Sequence, residues 1–455
     1  MATRKRDAPT ANPLTRLQWT AFTAWHLRRE SSLPFWPIDR VRALQSRRVR
    51  RIVSFAWREV PFYREAMLAA GLRPQDFRTA EDLALLPLIG KDEPVSNPEQ
   101  FCPTHRRLSS LRLQSSGTSG RSRLIDYEAS AIFLSLAHGY RQRLALTSIL
   151  GQSSGYREAV IARLDGVPRQ MREFYETHSW LPARWDLRRL QVSPAETFSQ
   201  ILGRLDEFRP DVVWGYGAHL GALYRWVSRQ NGDRHLPKAI VYGADRMPDA
   251  DRTVIEEQLG IPVFSIYQAV ESLRIAFQCE VRQGLHVSLD QVAVRVIDSS
   301  GRNLGPGDTG EIVISNLANR ATVLLNYRLG DLVTLGRGSC PCGRSLPTLE
   351  RIEGRADDLV LLPDGSSIHA LAILQGLQAV PGVVQVQLVQ EELRQFQLRV
   401  VCSGDADGPL VLERLSASLI TSLGKDTTVR IERVPQILPD PGGKVRAVVS
   451  QCPCA

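Results

Sequence analysis

A short stretch of small and hydroxyl-bearing residues is the part of this chain whose composition points most directly to chemistry. The segment reads "LQSSGTSGRSRLIDY". Its small residues are Ser115, Ser116, Gly117, Thr118, Ser119 and Gly120, with Arg121 directly after them. A turn of this composition exposes backbone N–H groups and hydroxyls that can surround phosphate oxygens, and the two arginines that follow, Arg121 and Arg123, add positive charge. The G-x-x-x-x-G-K-[ST] spacing of a Walker loop is absent. Taken alone, the segment is either a phosphate-binding loop or a flexible connection.

Cysteine and histidine residues in the second half of the chain form another candidate site. Six residues separate Cys279 from His286, and one residue separates Cys340 from Cys342. Three thiols and an imidazole could enclose a tetrahedral Zn²⁺; the alternative is buried thiols beside a hydrogen-bonded histidine. The chain has seven cysteines, an odd number in a long chain, which argues against a disulfide framework. The terminal "CPCA" is a weaker metal candidate, because chain ends are usually loose.

The elements that must position these residues follow from the apolar pattern. "LSSLRLQ" before the loop is typical of a strand, and "EASAIFLSLAHGYRQRLAL" after it of a helix. Between about residues 110 and 270, strand-like runs such as "DVVWGYG" and "KAIVYGAD" alternate with helical patterns, which predicts parallel βαβ units. After residue 285 the alternation of apolar and polar residues around turns predicts antiparallel strands.

The last hundred residues predict a separate small unit. Three strand-like runs, "VVQVQLVQ", "QFQLRVVCS" and "TTVRIERV", have one helix between the second and third. The predicted fold class is therefore α/β, with a large N-terminal domain (1–356) of parallel βαβ sheets plus a β subregion. A small α+β C-terminal domain (357–455) follows it.

Composition limits the class of protein. The chain has 455 residues, of which 43% are hydrophobic and 23% charged, as expected of a soluble globular protein. No run approaches the roughly 18 apolar residues of a membrane span. No apolar segment follows the basic N-terminus as it would in a signal peptide, so a cytoplasmic location is expected.

Positive charge is concentrated near the N-terminus. Residues 1–60 contain 13 Lys/Arg and 4 Asp/Glu, which accounts for the whole net charge of +9. "RVRALQSRRVRRIVSFAWREV" (Arg40–Val60) predicts an amphipathic basic helix. A contact with nucleic acid or an anionic membrane is one interpretation and a solvated helix face is the other. Because no nucleic-acid motif accompanies the helix, we expect no nucleic-acid partner.

Several motifs, taken in order, resemble the adenylate-forming enzymes, and among them the phenylacetate–CoA ligase branch. The first is "SSGTSGR", in the position of the phosphate loop. The others are "VPFYREAMLAAGLRPQDFRTAEDLALLP", "YGADRMPDADRTVIEEQLGIPVFSIYQAVE", "LLNYRLGDLVTL", "CPCGRSLPTLERIEGRADDLV" and "PGGKVRAVV". Because the resemblance spans roughly residues 50–450, it is far more specific than the loop alone.

The resemblance implies roles for particular residues. The loop from Ser115 to Gly120 would bind the β- and γ-phosphates of ATP, with Arg121 where relatives usually carry lysine. Glu271 would bind Mg²⁺, for which a carboxylate oxygen is a suitable ligand. The remaining nucleotide-binding residues implied are Tyr267 and Gln268 near the adenine, Gly243, Ala244 and Asp245 lining the base pocket, and Asp331 and Arg355 at the ribose.

The resemblance also implies a mobile catalytic group. Lys444 matches the catalytic lysine of the C-terminal domain, where a cation can bridge the attacking carboxylate and the α-phosphate. Asp357 and Asp358 fall at the hinge, and a two-step reaction at one site requires the lysine to leave before the acceptor enters. Similar cysteines and a histidine recur in this branch. A homodimer is a reasonable assembly by the same resemblance.

Two departures bear on the reaction. The usual aromatic-Gly-x-Ser/Thr-Glu motif reads Tyr267–Gln268–Ala269–Val270–Glu271, so that Val270 replaces a hydroxyl donor. "PDGSSIHA" (Pro363–Ala370) stands where CoA-using relatives commonly show Gly-x-Asn-x-Phe-Pro. The leading hypothesis is ATP-dependent adenylation of an aryl or similarly apolar carboxylic acid, walled by "WGYGAHL", with transfer to CoA. The alternatives are a non-CoA acceptor (an amine, a carrier-protein thiol or a hydroxyl that receives AMP) and a binding protein that has lost catalysis.

Overall fold

The computed structural model describes residues 11–105, 109–115, 123–152, 155–181, 188–356, 358–402, 408–438, 440 and 445–452. The α-helices in this part of the chain are α1 (Pro13–Glu30), α2 (Ile38–Glu59), α3 (Pro61–Ala69), α4 (Glu93–Ser96), α5 (Ala129–Leu150), α6 (Val167–His178), α7 (Phe198–Phe208), α8 (Gly217–Val227), α9 (Asp249–Thr253), α10 (Ala370–Gln378) and α11 (Gly408–Leu423). Short 3₁₀ turns cover Leu33–Phe35, Pro74–Asp76, Glu81–Leu85 and Pro98–Phe101, and a π turn covers Val254–Gln258.

The strands are numbered in chain order. They are β1 (Leu111–Gln114), β2 (Leu124–Tyr127), β3 (Arg157–Ile161), β4 (Arg188–Val192), β5 (Val212–Tyr216), β6 (Ala239–Gly243), β7 (Val263–Ala269), β8 (Leu273–Phe277), β9 (Leu285–Val287), β10 (Val292–Ile297), β11 (Thr309–Asn316), β12 (Tyr327–Leu335), β13 (Thr348–Arg355), β14 (Leu359–Leu361), β15 (Ser367–His369), β16 (Val383–Glu392), β17 (Gln395–Cys402), β18 (Thr428–Arg433) and β19 (Val448–Ser450).

The chain forms two compact units. The first consists of Met1–Arg157, Leu164–Arg189 and Ser265–Ile352. The second consists of Glu158–Arg163, Leu190–Phe264 and Glu353–Ala455. Among the described residues, no helix is both long enough and apolar enough to cross a membrane.

The first unit combines the N-terminal helices with antiparallel strands. Its strands follow the order β10-β11-β12-β13-β9-β8-β7, and β1 and β2 form a separate hairpin. The expected basic helix is confirmed as α2, whose buried face includes Val49, Ile52 and Val53. The antiparallel region expected after residue 285 is confirmed by the pairs β10–β11 and β11–β12. Strand β2 was not expected, because the helical pattern appeared to begin directly after the loop.

The second unit contains the parallel strands. Strand β5 pairs in parallel with β3 and with β6, and helix α8 follows β5, which confirms the predicted βαβ organisation. The segment Pro248–Gly260 is helical, but it combines two helix types, because α9 continues directly into the π turn.

The C-terminal part of the second unit is a four-stranded sheet in the order β18-β17-β16-β19. Strands β16 and β17 are antiparallel, while β18 and β19 each pair in parallel with a neighbour. Buried residues of α10, α11 and the sheet, such as Leu377, Leu388 and Leu415, share one core. The expected α+β architecture of this segment is therefore observed.

A buried charged cluster ties α1 to the rest of the first unit. Arg141 donates to Glu30 (Nε–Oε2 2.6 Å) and, through two nitrogens, to Asp290 (2.9 and 3.0 Å). His138 Nε2 lies 3.2 Å from Asp290 Oδ2 and 3.4 Å from Glu30 Oε1. Burial opposes ionisation of Asp290, but the Arg141 guanidinium holds the pKa of this carboxyl well below its ordinary value. The Arg141 guanidinium is thus shared by the two buried carboxylates.

Replacing Arg141 by methionine is expected to lower the free energy of unfolding by about 3–5 kcal/mol, since two carboxylates would stay buried without their cation. Denaturant unfolding followed by circular dichroism measures the change. Arg169→Met is the matched control, because it breaks an exposed pair with Glu173 (2.7 Å), for which we expect a loss of less than about 1 kcal/mol. Equal losses of unfolding free energy in the two variants would show that the buried cluster contributes no more to stability than the exposed pair.

Candidate active site and metal centre

The predicted phosphate loop is carried by a β-hairpin. Strands β1 and β2 pair in antiparallel register, with Gln114 opposite Leu124. Beyond this pair, the Ser115 N–H donates to the Arg123 carbonyl (2.9 Å), and the Arg123 N–H donates to Ser115 Oγ (2.9 Å). The neck of the loop is therefore closed by two hydrogen bonds. The other predicted phosphate-binding residues lie outside the described residues: Ser116, Gly117, Thr118, Ser119, Gly120 and Arg121.

A buried ion pair lies at this neck. Arg123 Nη1 donates to Glu271 Oε1 at 2.8 Å, and the two residues are only 9% and 6% exposed. Arg123 Nε also donates to the Lys91 carbonyl (3.2 Å). Asn316 Nδ2 donates to the Glu271 backbone carbonyl (3.1 Å). The predicted magnesium ligand is thus held from both its side chain and its backbone, next to the base of the loop.

Sequence reasoning missed the role of Arg123. The expectation was that arginines after the loop add positive charge for phosphate, but Arg123 turns into the protein and pairs with Glu271. Arg123, Ile125 and Tyr127 alternate along the chain and are all buried. Because side chains two residues apart share one face of a strand, this alternation could have revealed the inward orientation.

Two tyrosine hydroxyls make short hydrogen bonds in the first unit. Tyr127 donates to the Val270 carbonyl at 2.6 Å. Burial, and then the charge of Glu271, raise the pKa of Tyr127 well above its ordinary value, so its hydroxyl stays a donor. Tyr267, on β7, donates to Asp331 Oδ2 on β12 at 2.6 Å. The structure therefore brings together the predicted adenine residue and the predicted ribose residue, whereas Gln268 is exposed.

In the second unit, Gly243 ends β6, and Ala244 and Asp245 follow it. This is the carboxyl end of a parallel strand, the usual location of ligand sites in α/β sheets. Ala244 has a φ of 69°, which turns the chain sharply. The Asp245 carboxylate accepts from the Gly217 and Ala218 N–H groups at the start of α8. At Gly217 a Cβ atom would lie 2.6 Å from the Met247 nitrogen, so only glycine fits there. Asp245 consequently caps a helix, a role that sequence reasoning did not assign.

Of the remaining predicted residues of the second unit, the structure describes only some. Arg355 ends β13, and its carbonyl accepts from His369 Nε2 (2.8 Å) on β15. Asp358, one of the two predicted hinge residues, donates its N–H to the Arg355 carbonyl (3.2 Å). The predicted catalytic Lys444 and the hinge residue Asp357 lie outside the described residues.

The cysteine and histidine candidates form a compact cluster in the first unit. The ligand atoms of Cys279, His286, Cys340 and Cys342 all lie within 4.8 Å of one another. Cys279 Sγ is 3.6 Å from Cys340 Sγ, and Cys342 Sγ is 3.3 Å from His286 Nε2. Two sulfurs bound tetrahedrally at about 2.3 Å from zinc would be about 3.8 Å apart, close to the observed thiol distance.

The surroundings of this cluster also suit a metal. His286 Nδ1 lies 3.2 Å from the Leu346 carbonyl, which fixes the ring so that Nε2 faces the thiols. Burial raises the pKa of Cys279 to about 12, so this thiol would stay neutral without a nearby cation. The six described cysteines form no disulfide. The donor set therefore fits Zn²⁺.

Comparisons with known proteins find matches both to the C-terminal segment and to most of the chain. Residues 360–451 match the CapK C-terminal domain family. The chain is 28% identical over 364 residues to the phenylacetate-coenzyme A ligase of Thermus thermophilus, covering 76% of this chain and 77% of that protein. It is 25% identical over 428 residues to the enzyme of the same name from Pseudomonas putida, covering 87% and 91%.

Among solved structures, 2-hydroxyisobutyryl-CoA ligase in the postadenylation state matches with a TM-score of 0.71 at 21% identity. That match covers 92% of this chain and 91% of the other. The predicted similarity to the phenylacetate–CoA ligases and the predicted α/β fold class are confirmed by these matches.

Proposed function

We propose that this chain, a relative of the phenylacetate–CoA ligases, adenylates a carboxylic acid with ATP and transfers the acyl group to CoA. The observation that carries the proposal is the position of Glu271, buried beside the neck of the Ser/Thr/Gly loop and held there by Arg123. A carboxylate next to a phosphate-binding loop suits magnesium-dependent chemistry on a nucleotide triphosphate.

In the first step, a carboxylate oxygen of the acid attacks the α-phosphorus of ATP. A bond forms between that oxygen and the α-phosphorus, the bond from the α-phosphorus to the bridging oxygen of the β-phosphate breaks, and pyrophosphate leaves. In the second step, the CoA sulfur attacks the acyl carbon, AMP leaves with its oxygen, and the thiol proton is released. Both steps need alignment and charge neutralisation more than a protein nucleophile.

The chain's own residues supply this alignment. Glu271 would hold Mg²⁺ through Oε2, which has no hydrogen-bond partner among the described residues, while Oε1 accepts from Arg123. Bound magnesium would neutralise charge on the phosphates. Tyr267 orients the Asp331 carboxylate that we assign to the ribose. Ser115–Arg121, Gly243–Asp245, Arg355 and Lys444 are assigned to the nucleotide and the reacting carboxylate by resemblance.

We also propose that a structural zinc is bound by Cys279, His286, Cys340 and Cys342. We place the reaction in the cytoplasm, where ATP and CoA are available, and we propose a homodimer. Light scattering on the purified protein would test the assembly.

A panel of aryl and aliphatic acids tests the reaction. Pyrophosphate release should require both ATP and a carboxylic acid, and mass analysis should find an acyl-CoA only when CoA is present. Acid-dependent pyrophosphate release without any thioester would replace CoA by another acceptor, such as an amine or a carrier-protein thiol. No ATP–Mg²⁺ binding by calorimetry would point instead to a binding protein that has lost catalysis.

Val270→Thr is expected to accelerate pyrophosphate release by about tenfold, because threonine has nearly the same shape as valine and adds a donor. A recovered hydrogen bond of this kind contributes about 1–3 kcal/mol. Single-turnover adenylation measures the effect, and Val270→Ala, which adds no donor, is the control. A rate unchanged or lowered by threonine would show that the hydroxyl has no target in this chain.

A further inference from the structure

A large groove in the first unit has no part in the site described above. Its volume is about 710 Å³, and it lies between α2, the beginning of α5 and the segment that follows β11. Sites for small molecules and cofactors typically measure about 300–1,000 Å³. The groove therefore has the dimensions of a small-molecule site.

The lining of the groove is strongly cationic. Its arginines are Arg47, Arg48, Arg50, Arg51, Arg58 and Arg320. The lining includes one carboxylate, that of Glu128, and Arg320 already pairs with both of its oxygens at 2.9 and 2.8 Å. Several positive charges facing one concave surface attract an anion and repel each other in its absence.

Three of these arginines are available to a ligand. Arg47, Arg51 and Arg58 are exposed, and none makes an ion pair with a carboxylate in the described part of the chain. Their spacing of four and then seven residues places them on one face of α2. By contrast, Arg48 donates to the Asp290 carbonyl and Arg50 to the Arg78 carbonyl (3.1 Å). We define the phosphate face of the groove as Arg47, Arg51 and Arg58.

The rest of the lining suits the body of a nucleotide. Apolar side chains contribute Ile52, Phe55, Leu134, Leu317 and Ala318. Ser130 lines the groove in the first turn of α5, a helix of 22 residues whose N-terminal end adds positive potential. An apolar surface beside a row of guanidinium groups matches a flat base carried on phosphates better than an inorganic anion.

The groove is built from the segments that support Glu271. Glu128 directly follows Tyr127, whose hydroxyl holds the Val270 carbonyl. Leu317 directly follows Asn316, whose amide holds the Glu271 carbonyl. A ligand in the groove would thus lie against the same two segments that position the proposed magnesium ligand.

We propose that this groove binds a nucleotide that carries several phosphates. Resting on the proposed function, we assign it to the nucleotide end of CoA, which bears a 3′-phosphate and a 5′-diphosphate. The phosphate face binds the phosphates, and the apolar side chains receive the adenosine. A concave site of this volume favours such a ligand over a membrane surface or a nucleic-acid strand, which would need an extended cationic face.

The test combines a binding measurement with a comparison of acceptors. The combined substitutions Arg47→Gln, Arg51→Gln and Arg58→Gln should weaken binding of adenosine 3′,5′-bisphosphate at least tenfold by calorimetry. They should raise the KM for CoA by a similar factor and leave the KM for pantetheine, which lacks the nucleotide, unchanged. Acid-dependent pyrophosphate release without an acceptor should also be unaffected. Arg42→Gln, an exposed arginine of α2 outside the groove, is the control.

The outcomes separate this proposal from the proposed function. Equal bisphosphate affinity in the wild type and the triple variant overturns the groove assignment, as does an equal rise in KM for CoA and pantetheine. Arginine-dependent binding of anionic vesicles or of an oligonucleotide, without binding of the bisphosphate, also overturns it. If the bisphosphate binds through the three arginines but no thioester forms with either acceptor, the nucleotide groove stands and transfer to CoA is rejected.

Discussion

Lys444→Ala is expected to reduce acid-dependent pyrophosphate release by about 10²–10³-fold. In the proposed first step, negative charge accumulates where the carboxylate meets the α-phosphate, and a positioned cation there stabilises the transition state. Removing one such group from an active site typically costs this factor in rate. Pyrophosphate release at saturating ATP and acid measures the change.

The control for Lys444 is Lys425→Ala. Lys425 is exposed and belongs to the same C-terminal segment, so its removal should leave the rate unchanged. The second half-reaction gives an independent check, because thioester formation from a supplied acyl-adenylate should be much less affected by Lys444→Ala than adenylation. Full adenylation activity in this variant would remove Lys444 from the mechanism.

Cys279→Ser combined with Cys340→Ser is expected to abolish zinc binding and to lower the Tm by about 10 °C. The two buried thiols lie 3.6 Å apart. Without the metal, the polar groups at these two positions would be buried donors without hydrogen-bond partners inside the first unit. Metal-ligand bonds contribute directly to folding free energy. A loss of about 3–4 kcal/mol shifts the Tm of a unit of this size by roughly this amount.

Metal analysis and calorimetry measure both effects. The wild type should contain one zinc per chain, and chelation should lower its Tm to that of the double variant. Cys102→Ser is the control, because Cys102 lies outside the cluster and is only half-buried. A purified wild type without metal, with a Tm insensitive to chelators, would show that the cluster is only a set of buried thiols.

Some candidate residues were found from their types and spacing alone, and others only through the resemblance to a known family. The four zinc candidates are neighbours in pairs along the chain, and thiols beside a histidine are chemically distinctive, so their types and spacing sufficed to propose them as ligands. The residues of the Ser/Thr/Gly loop, Glu271 and Asp331 were proposed because they occur within motifs that resemble a known family in the same order. In each case the information lies in short segments of chain.

The orientation of individual charged side chains was harder to predict. Arg123 looked like part of the phosphate loop, but it pairs with Glu271, 148 residues away. Asp245 is assigned to the base pocket by resemblance, and the additional contact of its carboxylate with the start of α8 was not expected. Which partner a charged group takes depends on which segments pack against it, and that packing involves residues far apart in sequence.

By itself, the sequence determined the βαβ pattern, the later antiparallel strands, the C-terminal α+β pattern, the order of the motifs and the chemical types at the candidate sites. Apolar periodicity and turn residues act over a few neighbours, so they can be read along the chain. Only the tertiary structure decided that Arg141 joins Glu30 to Asp290, and that α2 faces a groove whose other wall comes from α5 and the segment after β11. The physical reason is that ion pairs and cavities arise where distant segments pack together, and no local pattern encodes which faces will meet.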